Sequence, residues 1–404
     1  MIARLKIPAH QLREGMYVAQ LDRPWLDTPF LFQGFLIRSQ REIEELCRYC
    51  KWVLIDRERS EIDVGVARNA DPVGARSMLS RLAARFVPRG RTSVQPLASL
   101  GDLQRKAYPD QKTTMCEELP RADASVRQAQ DMVRQATQQL QVTETIEYSL
   151  VNQAVDPIID SVLRNKDAMI WLQSMRGKDE YVFSRSVACS VWSVIFGRHL
   201  GLDRKTLKLL ATGSLLLDLG KMEVPDELLT RNGPLEVDEM QLVRQHVEYG
   251  VKMLEGSGGF DARIIEMVRT HHERFNGTGY PSGLKGTQIP ALGKIAGILD
   301  TFVAMTSQRP HADAMASYDV MRHLHELADV EFQSELVEQF VQAVGMFPTG
   351  SLVELSTGEV AIVTAQNRIR RLRPKVMVVL DPGKAMLSDF RSIDLREQNT
   401  DESG

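Results

Sequence analysis

Most of the chain shows the spacing of apolar residues that is typical of amphipathic helices. From about residue 123, apolar side chains recur at intervals of three and four, which places them on one face of a helix. Glycine follows several of these runs directly, and glycine is favoured where a helix ends. The pattern predicts helices over residues 126–142, 151–163, 184–200, 204–219, 237–255, 262–275, 292–305 and 317–344.

Shorter patterns on either side of this helical block predict β-strands. Near the N-terminus, strand-like runs at residues 16–19 and 52–55 flank a helical pattern at 39–49, which indicates a small α+β module. After Phe347 the apolar period changes from that of a helix to that of a strand. Three such runs, which predict a β appendage, lie at residues 351–355, 359–363 and 375–380.

These patterns predict a mainly α protein in three parts. The N-terminal α+β module and a turn-rich linker occupy residues 1–122, and an all-helical domain occupies 123–346. The β appendage and a polar tail occupy 347–404. The Gln-rich helix predicted from residue 126 suits either a homodimer contact or packing within the chain.

Composition and charge argue against several classes of protein. With 404 residues and a net charge of −3, the chain lacks the strongly basic balance expected of a nucleic-acid binder. It shows no run of about 18 apolar residues, so we expect no membrane-spanning helix. Its first residues do not resemble a signal peptide. Four cysteines give no disulfide framework in a chain of this length, which favours the reducing cytoplasm.

Several polar residues of the helical block occupy positions that call for a partner. Asp300 lies inside the apolar run 298–302, where an unpaired charge is costly, so it should be paired or metal-bound. Asp218 lies near a predicted helix C-terminus, where the helix dipole disfavours a carboxylate. Taken singly, His246 can be an ordinary core or surface histidine, and Lys221 can be a counter-ion of Asp218 or a phosphate contact. The candidates are Asp218, Lys221, His246, His271, His272 and Asp300.

One stretch carries the most information about function. His271-His272-Glu273 is followed by Gly279-Tyr280-Pro281. Adjacent histidines at a helix end suit metal binding, and glycine lets a backbone approach a ligand closely. The full order along the chain is Leu217-Asp218-Leu219-Gly220-Lys221, Pro225, His246, His271-His272-Glu273, Gly279-Tyr280-Pro281, Ile289-Pro290 and Asp300. Over residues 150–345 this order resembles the HD-GYP family, bacterial cyclic di-GMP phosphodiesterases within the all-helical HD superfamily. The N-terminal module resembles the DUF3391 domain that often precedes this family.

The resemblance implies a metal-dependent site. In the family, two or three metal ions, often iron or manganese, share a bridging water that attacks a phosphodiester of the cyclic dinucleotide. Carried over, Asp218 would be the bridging carboxylate and Lys221 a phosphate contact. The further ligands would be His246, His271, His272 and Asp300. The loop Gly279-Tyr280-Pro281 would contact substrate and dock to diguanylate cyclases of the GGDEF type.

Two departures from the family pattern fall on one metal position. Leu217 stands where the family has the histidine before Asp218, and Arg185 stands where the family has an earlier helix histidine. Leucine has no donor atom and a guanidinium has no free lone pair, so only Asp218 and Asp300 would remain for that metal. The other metal keeps Asp218, His246 and one or both of the adjacent histidines. Further departures are Asn276, Val303 and Arg309-Pro310-His311-Ala312.

Arg185 separates two interpretations of this site. We expect its guanidinium to pair with Asp218 or Asp300 and, together with Lys221, to hold a dinucleotide phosphate without cleaving it. The alternative is that Arg185 only fills space and salt-bridges Asp218. The sequence thus favours a signalling module that binds cyclic di-GMP, a related cyclic dinucleotide or a partner protein. An active phosphodiesterase that hydrolyses cyclic di-GMP to linear pGpG or GMP is the other reading, so whether the chain is an enzyme stays open here.

Overall fold

The computed structural model describes residues 4–23, 35–37, 40–57, 60, 62, 106, 108, 112–175, 181–231, 233–308, 313–367 and 372–397, and the side chains of residues 41 and 181–184 are outside this description. The chain divides into two compact units, Met1–Ala98 with Asp401–Gly404, and Ser99–Thr400. Among the described residues, no helix combines the length and apolarity that crossing a membrane requires.

The first unit is a small α+β module, as the sequence predicts. Its four strands form one antiparallel sheet in the order β1-β4-β2-β3. Val18 of β2 and Val53 of β4 are fully buried together with Leu46 of the helix. The elements are β1 (Arg4–Pro8), β2 (Tyr17–Leu21), β3 (Phe35–Leu36), α1 (Gln40–Tyr49) and β4 (Trp52–Asp56).

The second unit is mainly helical. Its core is centred on three buried phenylalanines, Phe196, Phe302 and Phe340, whose rings meet edge to face. The helices are α2 (Met115–Thr143), α3 (Tyr148–Arg164), α4 (Lys166–Met175), α5 (Tyr181–His199), α6 (Arg204–Leu216), α7 (Asp226–Thr230), α8 (Val237–Arg244), α9 (His246–Ser257), α10 (Ala262–Thr270), α11 (Ala291–Thr306), α12 (Ser317–Glu326) and α13 (Ser334–Val344). Two 3-10 turns, Leu219–Glu223 and Gly286–Gln288, complete this part.

Several helix boundaries differ from the prediction. The helix predicted from residue 126 begins at Met115, because Thr114 and Glu117 form a reciprocal capping box at its start. The stretch 317–344 is two helices, separated by a turn in which Asp329 adopts a left-handed backbone. The stretch 237–255 is also two helices that meet at Gln245. Periodicity alone misses such breaks, because the apolar residues on either side of each turn still face the core.

Among its described residues, the β appendage has four strands rather than three. They pair antiparallel in chain order around a small core of Ala361, Val363, Val376 and Val378. The fourth strand was not predicted, because most of its side chains are exposed on both faces and its sequence lacks an apolar alternation. The strands are β5 (Leu352–Glu354), β6 (Val360–Ala365), β7 (Lys375–Leu380) and β8 (Met386–Asp394).

Candidate metal centre

The turn after α6 brings Asp218 against the start of α9. Helix α6 ends at Leu216, and Asp218 opens the following 3-10 turn. Gly220 in this turn packs so closely on the backbone of His246 and Gly250 that a Cβ atom there would overlap both. This close approach places the carboxylate of Asp218 3.7 Å from Nε2 of His246.

Three histidines complete a cluster with Asp218. His246 is the first residue of α9, whereas His271 and His272 directly follow α10. One ligand atom from each of these three imidazoles and one from Asp218 all lie within 4.8 Å of one another. All four residues are candidates from the sequence, and the fold brings them together.

The tautomers of two histidines are set by backbone carbonyls. Nδ1 of His246 lies 2.7 Å from the carbonyl oxygen of Val243, and Nδ1 of His271 lies 2.7 Å from that of Val268. A carbonyl only accepts, so both Nδ1 atoms carry the proton and both Nε2 atoms present a lone pair. Within the described part of the chain, these buried Nε2 atoms and Oδ1 of Asp218 have no hydrogen-bond partner. Three imidazoles and one carboxylate oxygen fit one divalent transition-metal ion.

Asp300 lies beside this cluster and is bound by an arginine. It projects from the buried face of α11, and its Oδ1 lies 2.5 Å from Nη2 of Arg185 on α5. Nε of the same guanidinium lies 3.7 Å from Oδ2 of Asp218. Leu217, where a second histidine would be required, is only 2% exposed and belongs to the apolar core. The residues around Arg185 therefore do not fit a second metal ion, because a guanidinium and a leucine offer no lone pair.

Lys221 is the second cation that contacts Asp218. Its Nζ lies 2.8 Å from Oδ2 of Asp218, and its side chain is partly exposed. Burial alone would raise the pKa of Asp218, but Lys221 and Arg185 outweigh burial and hold that pKa well below its usual range. Burial likewise opposes ionisation of Asp300, yet Arg185 lowers its pKa. Both carboxylates are therefore ionised at neutral pH.

The histidines are neutral at the same pH. Burial is the main cause that lowers the pKa of His246 and that of His271, the latter to about 4. For His272 burial is joined by the neighbouring His271 and His246, and its pKa falls well below the usual value. Neutral imidazoles and ionised carboxylates are the forms that bind a metal ion.

The loop Gly279-Tyr280-Pro281 is folded back onto the second histidine. A Cβ atom on Gly279 would lie 2.5 Å from the carbonyl oxygen of His272, so only glycine allows this approach. The amide of Tyr280 donates to that same carbonyl at 3.2 Å. The Tyr280 ring stacks on the His272 ring with 4.6 Å between centroids. Pro281 lines a shallow cleft beside Val247.

Glu273 fixes the far side of this loop. Its carboxylate is buried and accepts hydrogen bonds from the amides of Ser282 at 2.8 Å and Leu284 at 2.9 Å. From the sequence Glu273 stands out only as part of the motif, and this role could not be predicted, because local spacing does not show which amides a carboxylate reaches. Asn276 accepts from the amide of Thr278 at 3.0 Å within the same loop. The segment Arg309-Pro310-His311-Ala312 lies outside the described residues.

A cavity of about 440 Å³ adjoins the polar cluster. Arg185, Asp218 and Lys221 line one part of it. The remaining wall is largely aliphatic and comes from α2, α3, α6, α7 and α8, with Met132, Val133, Leu228, Leu229 and Met240 among its members. This cavity could not be predicted from the sequence, because residues of α2 that face it have the same spacing as residues that face a core.

Family models match two stretches of the chain. An HD domain family model matches residues 172–336, and a model for a domain of unknown function, DUF3391, matches residues 4–151. The cyclic di-GMP phosphodiesterase PA4108 of Pseudomonas aeruginosa is 30% identical over 377 residues, which cover 92% of this chain and 84% of that protein. A 3'3'-cGAMP-specific phosphodiesterase of Vibrio cholerae is 34% identical over 36% of this chain and 28% of its own length.

A solved structure of similar description also matches. Bd1817, an HDG"Y"P protein from Bdellovibrio bacteriovorus, is 17% identical with a TM-score of 0.48, over 84% of this chain and 98% of that one. The family assignment depends on the sequence matches, above all on the long alignment with the Pseudomonas aeruginosa protein. With a DUF3391 domain ahead of an HD domain, this chain belongs to the HD-GYP family.

Proposed function

We propose that this protein binds a cyclic dinucleotide, cyclic di-GMP in the first place, and acts as a signalling module with impaired hydrolysis. The observation that carries the proposal is the position of Arg185, 2.5 Å from Asp300 and 3.7 Å from Asp218, where the family pattern has a histidine. We assign the binding to the helical domain at residues 123–346, which lies between the N-terminal module, 1–122, and the β appendage, 347–404.

The ligand class follows from relatives and from charge. The matched proteins are named for activity on cyclic di-GMP and 3'3'-cGAMP, which share two phosphodiester anions. In this chain Arg185 and Lys221 form ion pairs with Asp218 and Asp300, so the four charges cancel. A divalent ion on the neighbouring histidines would make the site cationic and favour a phosphate there. The adjoining cavity offers apolar surface for the rest of the ligand.

The metal is proposed to be a single iron or manganese ion. Asp218, His246, His271 and His272 would hold it, and when bound it would supply a Lewis acid and lower the pKa of a water molecule. Arg185 contributes a fixed positive charge in the other half of the site. A guanidinium stays protonated, so it can bind a phosphate but can neither coordinate nor activate a water molecule. Impaired hydrolysis follows from this difference.

An active phosphodiesterase is the second candidate function. It is favoured by the complete set of four ligands around Asp218 and by the long alignment with the Pseudomonas aeruginosa phosphodiesterase. In that case one metal ion would suffice for hydrolysis of cyclic di-GMP to linear pGpG or GMP.

Partners and compartment are proposed by analogy with the family. The loop Gly279-Tyr280-Pro281 is the proposed docking site for a GGDEF-type diguanylate cyclase, and α2 the proposed contact of a homodimer. We place the protein in the cytoplasm, where cyclic dinucleotides act.

Two assays distinguish the candidate functions. Hydrolysis of cyclic di-GMP is measured with manganese or iron(II) for wild type and for the double variant Arg185→His/Leu217→His. We expect no turnover by wild type and measurable turnover by the double variant, because the two new imidazoles restore a second metal position. Clear turnover by wild type would instead establish the second candidate.

Binding is measured separately by titration calorimetry with cyclic di-GMP. We expect wild type to bind and Arg185→Ala to bind at least about tenfold more weakly, since a charge-assisted contact to phosphate is lost. Arg185→Lys tests whether charge without the planar fork suffices. Arg204→Ala is the matched control, because Arg204 is also a helix arginine bound to an aspartate but lies on the surface beside Asp160. Equal binding by wild type and Arg185→Ala would refute the proposed role of Arg185.

A further inference from the structure

The three histidines of the cluster are oriented in two different ways. His246 and His271 each donate Nδ1–H to a backbone carbonyl at 2.7 Å. The imidazole of His272 has no hydrogen bond to a protein group among the residues that the structure describes, although its backbone carbonyl accepts from Tyr280. Its ring instead contacts two other rings, that of His271 at 4.0 Å and that of Tyr280 at 4.6 Å between centroids.

The contact with Tyr280 has the geometry of an aromatic stack. The planes of the Tyr280 and His272 rings are inclined by only 25°, whereas those of His271 and His272 are inclined by 42°. Neighbouring aromatic rings favour offset stacking at such separations. Tyr280 therefore restricts rotation of the His272 ring about its Cβ–Cγ bond, as a hydrogen bond to a carbonyl restricts the other two.

Arg244 lies over the Tyr280 ring. Its guanidinium carbon is 5.0 Å from the ring centroid, within the range of a cation–π interaction. Arg244 is the last residue of α8, two positions before His246 at the start of α9. The contact thus joins the segment that carries one histidine of the cluster to the loop that covers another.

The loop itself is placed by contacts independent of the stack. Gly279 lies directly on the backbone of residues 272–274, and Glu273 holds the amides of Ser282 and Leu284. These contacts hold Tyr280 over His272 without using a ligand atom of the cluster. This is the arrangement expected of a residue that preorganises a metal ligand.

We infer that Tyr280 and Arg244 are positioning residues that orient His272 as a metal ligand through ring stacking instead of through a hydrogen bond. The inference rests on the single-metal site of the proposed function and adds to it how the third imidazole is held. It concerns metal affinity and coordination geometry, and therefore can be tested without any nucleotide.

The test is equilibrium titration of the full chain with cobalt(II), followed by the visible absorption of the bound ion. Cobalt(II) accepts the same histidine and carboxylate ligands, and its absorption reports coordination number. We expect Tyr280→Leu to bind cobalt(II) about tenfold more weakly than wild type, the lower end of what loss of an outer contact to a metal ligand causes. We expect Arg244→Gln to bind about two- to fivefold more weakly, as suits one exposed cation–π contact.

Conservative and remote variants serve as controls. Tyr280→Phe keeps the ring and should keep the affinity and the spectrum of wild type. Lys6→Gln removes a similar contact, that of Lys6 with the Trp52 ring at 3.6 Å in the N-terminal unit, and should change neither. In His272→Ala the absorption spectrum of bound cobalt(II) should change, because the ion loses one imidazole ligand. Circular dichroism and thermal melting of each variant separate a lost contact from a lost fold.

The outcomes separate this inference from the proposed function. Wild-type affinity and spectrum in Tyr280→Leu would overturn the positioning role while leaving the metal site intact. An unchanged spectrum in His272→Ala would show that His272 is no ligand and would overturn the inference, while Asp218, His246 and His271 could still serve the proposed function. No cobalt binding by folded wild type would overturn both.

Discussion

The guanidinium of Arg185 lies 2.5 Å from the carboxylate of Asp300, and both groups are largely buried beside the histidine cluster. An ion pair between two buried side chains leaves a costly unpaired charge when one partner is removed. From this ion pair we expect one effect on the free energy of unfolding and one on the number of metal ions that the chain binds.

Removal of Arg185 should destabilise the fold through Asp300. We expect Arg185→Ala to lower the free energy of unfolding by about 2 to 4 kcal/mol at pH 7, since Asp300 loses its nearest cation. The double variant Arg185→Ala/Asp300→Asn should be more stable than the single variant, because no buried charge remains unpaired. Urea denaturation of wild type, both single variants and the double variant measures this coupling. Strictly additive effects would mean that the two side chains do not interact in solution.

The number of metal ions bound per chain should be one, and not the two expected of a two-metal site. We expect about one ion per chain after reconstitution with iron(II) or manganese and removal of excess metal, because Asp218 and three histidines would supply one set of four ligand atoms. Arg185→His/Leu217→His should take up more. Elemental analysis against protein concentration gives the ratio, and a wild-type ratio near two would contradict the role given to Arg185.

Gly279 should be intolerant of any side chain. In Gly279→Ala the new methyl group would lie 2.5 Å from the carbonyl oxygen of His272, so the loop must move away and carry Tyr280 with it. We expect a lower melting temperature and weaker cobalt(II) binding. Gly256→Ala is the matched control, since that glycine lies in α9 with nothing near its Cβ position, and alanine there should be neutral or slightly stabilising. A Gly279→Ala variant that melts and binds metal like wild type would show that the loop has room.

Glu273 should hold the loop as a carboxylate. A glutamine at this position keeps the size but presents an amide NH₂ to one of the two backbone amides, so one hydrogen bond becomes a clash of donors. We expect Glu273→Gln to destabilise the loop by about 1 to 3 kcal/mol, seen as faster hydrogen exchange at Ser282 and Leu284. Glu326→Gln, at an exposed site on α12, provides the control. Unchanged protection of both amides would argue against this role.

Stability should depend on pH through Glu118. This buried carboxylate of α2 accepts from Arg164 at 2.8 Å and from Ser161 at 2.8 Å. Burial opposes its ionisation, but Arg164 and Ser161 outweigh burial and lower its pKa. A pKa that is lower in the folded chain contributes stability above the unfolded value of about 4.3, and this contribution is lost as the pH falls through the folded value. We therefore expect Glu118→Gln to be less stable than wild type at pH 7, and the difference to shrink below about pH 4. A difference independent of pH would mean that Glu118 is not ionised in the folded state.

Much of the fold could be predicted because the spacing of apolar residues indicates which side chains are buried. The helical block, the N-terminal module and the β appendage each have an apolar period that matches their secondary structure. The misses share one cause. The turn at Asp329 and the exposed strand β8 have no apolar pattern of their own, so nothing local distinguishes them from a continuing helix or from a polar tail.

For the candidate site, the sequence indicated which residues would lie together but not all of the contacts between them. Motif order picked out Asp218 and the three histidines as candidates, and the fold brings one ligand atom from each within 4.8 Å of the others. The partner of Arg185 stayed open between Asp218 and Asp300, because the choice depends on how α5 and α11 pack, and the guanidinium in fact contacts both. The contact of Arg244 with Tyr280 could not be predicted from the sequence. It joins positions far apart in the chain and involves no polar group of the tyrosine.

The stacking of Tyr280 on His272 also has a thermodynamic consequence for whatever touches the loop from outside. If Tyr280 orients His272 for a metal ion, a protein that recognises Gly279-Tyr280-Pro281 only while the tyrosine lies on the histidine binds the conformation that this ion also favours. Linkage then requires that each ligand raise the affinity of the other by one common factor. The affinity of a partner bound at the surface would in this way depend on whether an ion occupies the largely buried centre. This dependence requires neither a change of fold nor the cleavage of a bond.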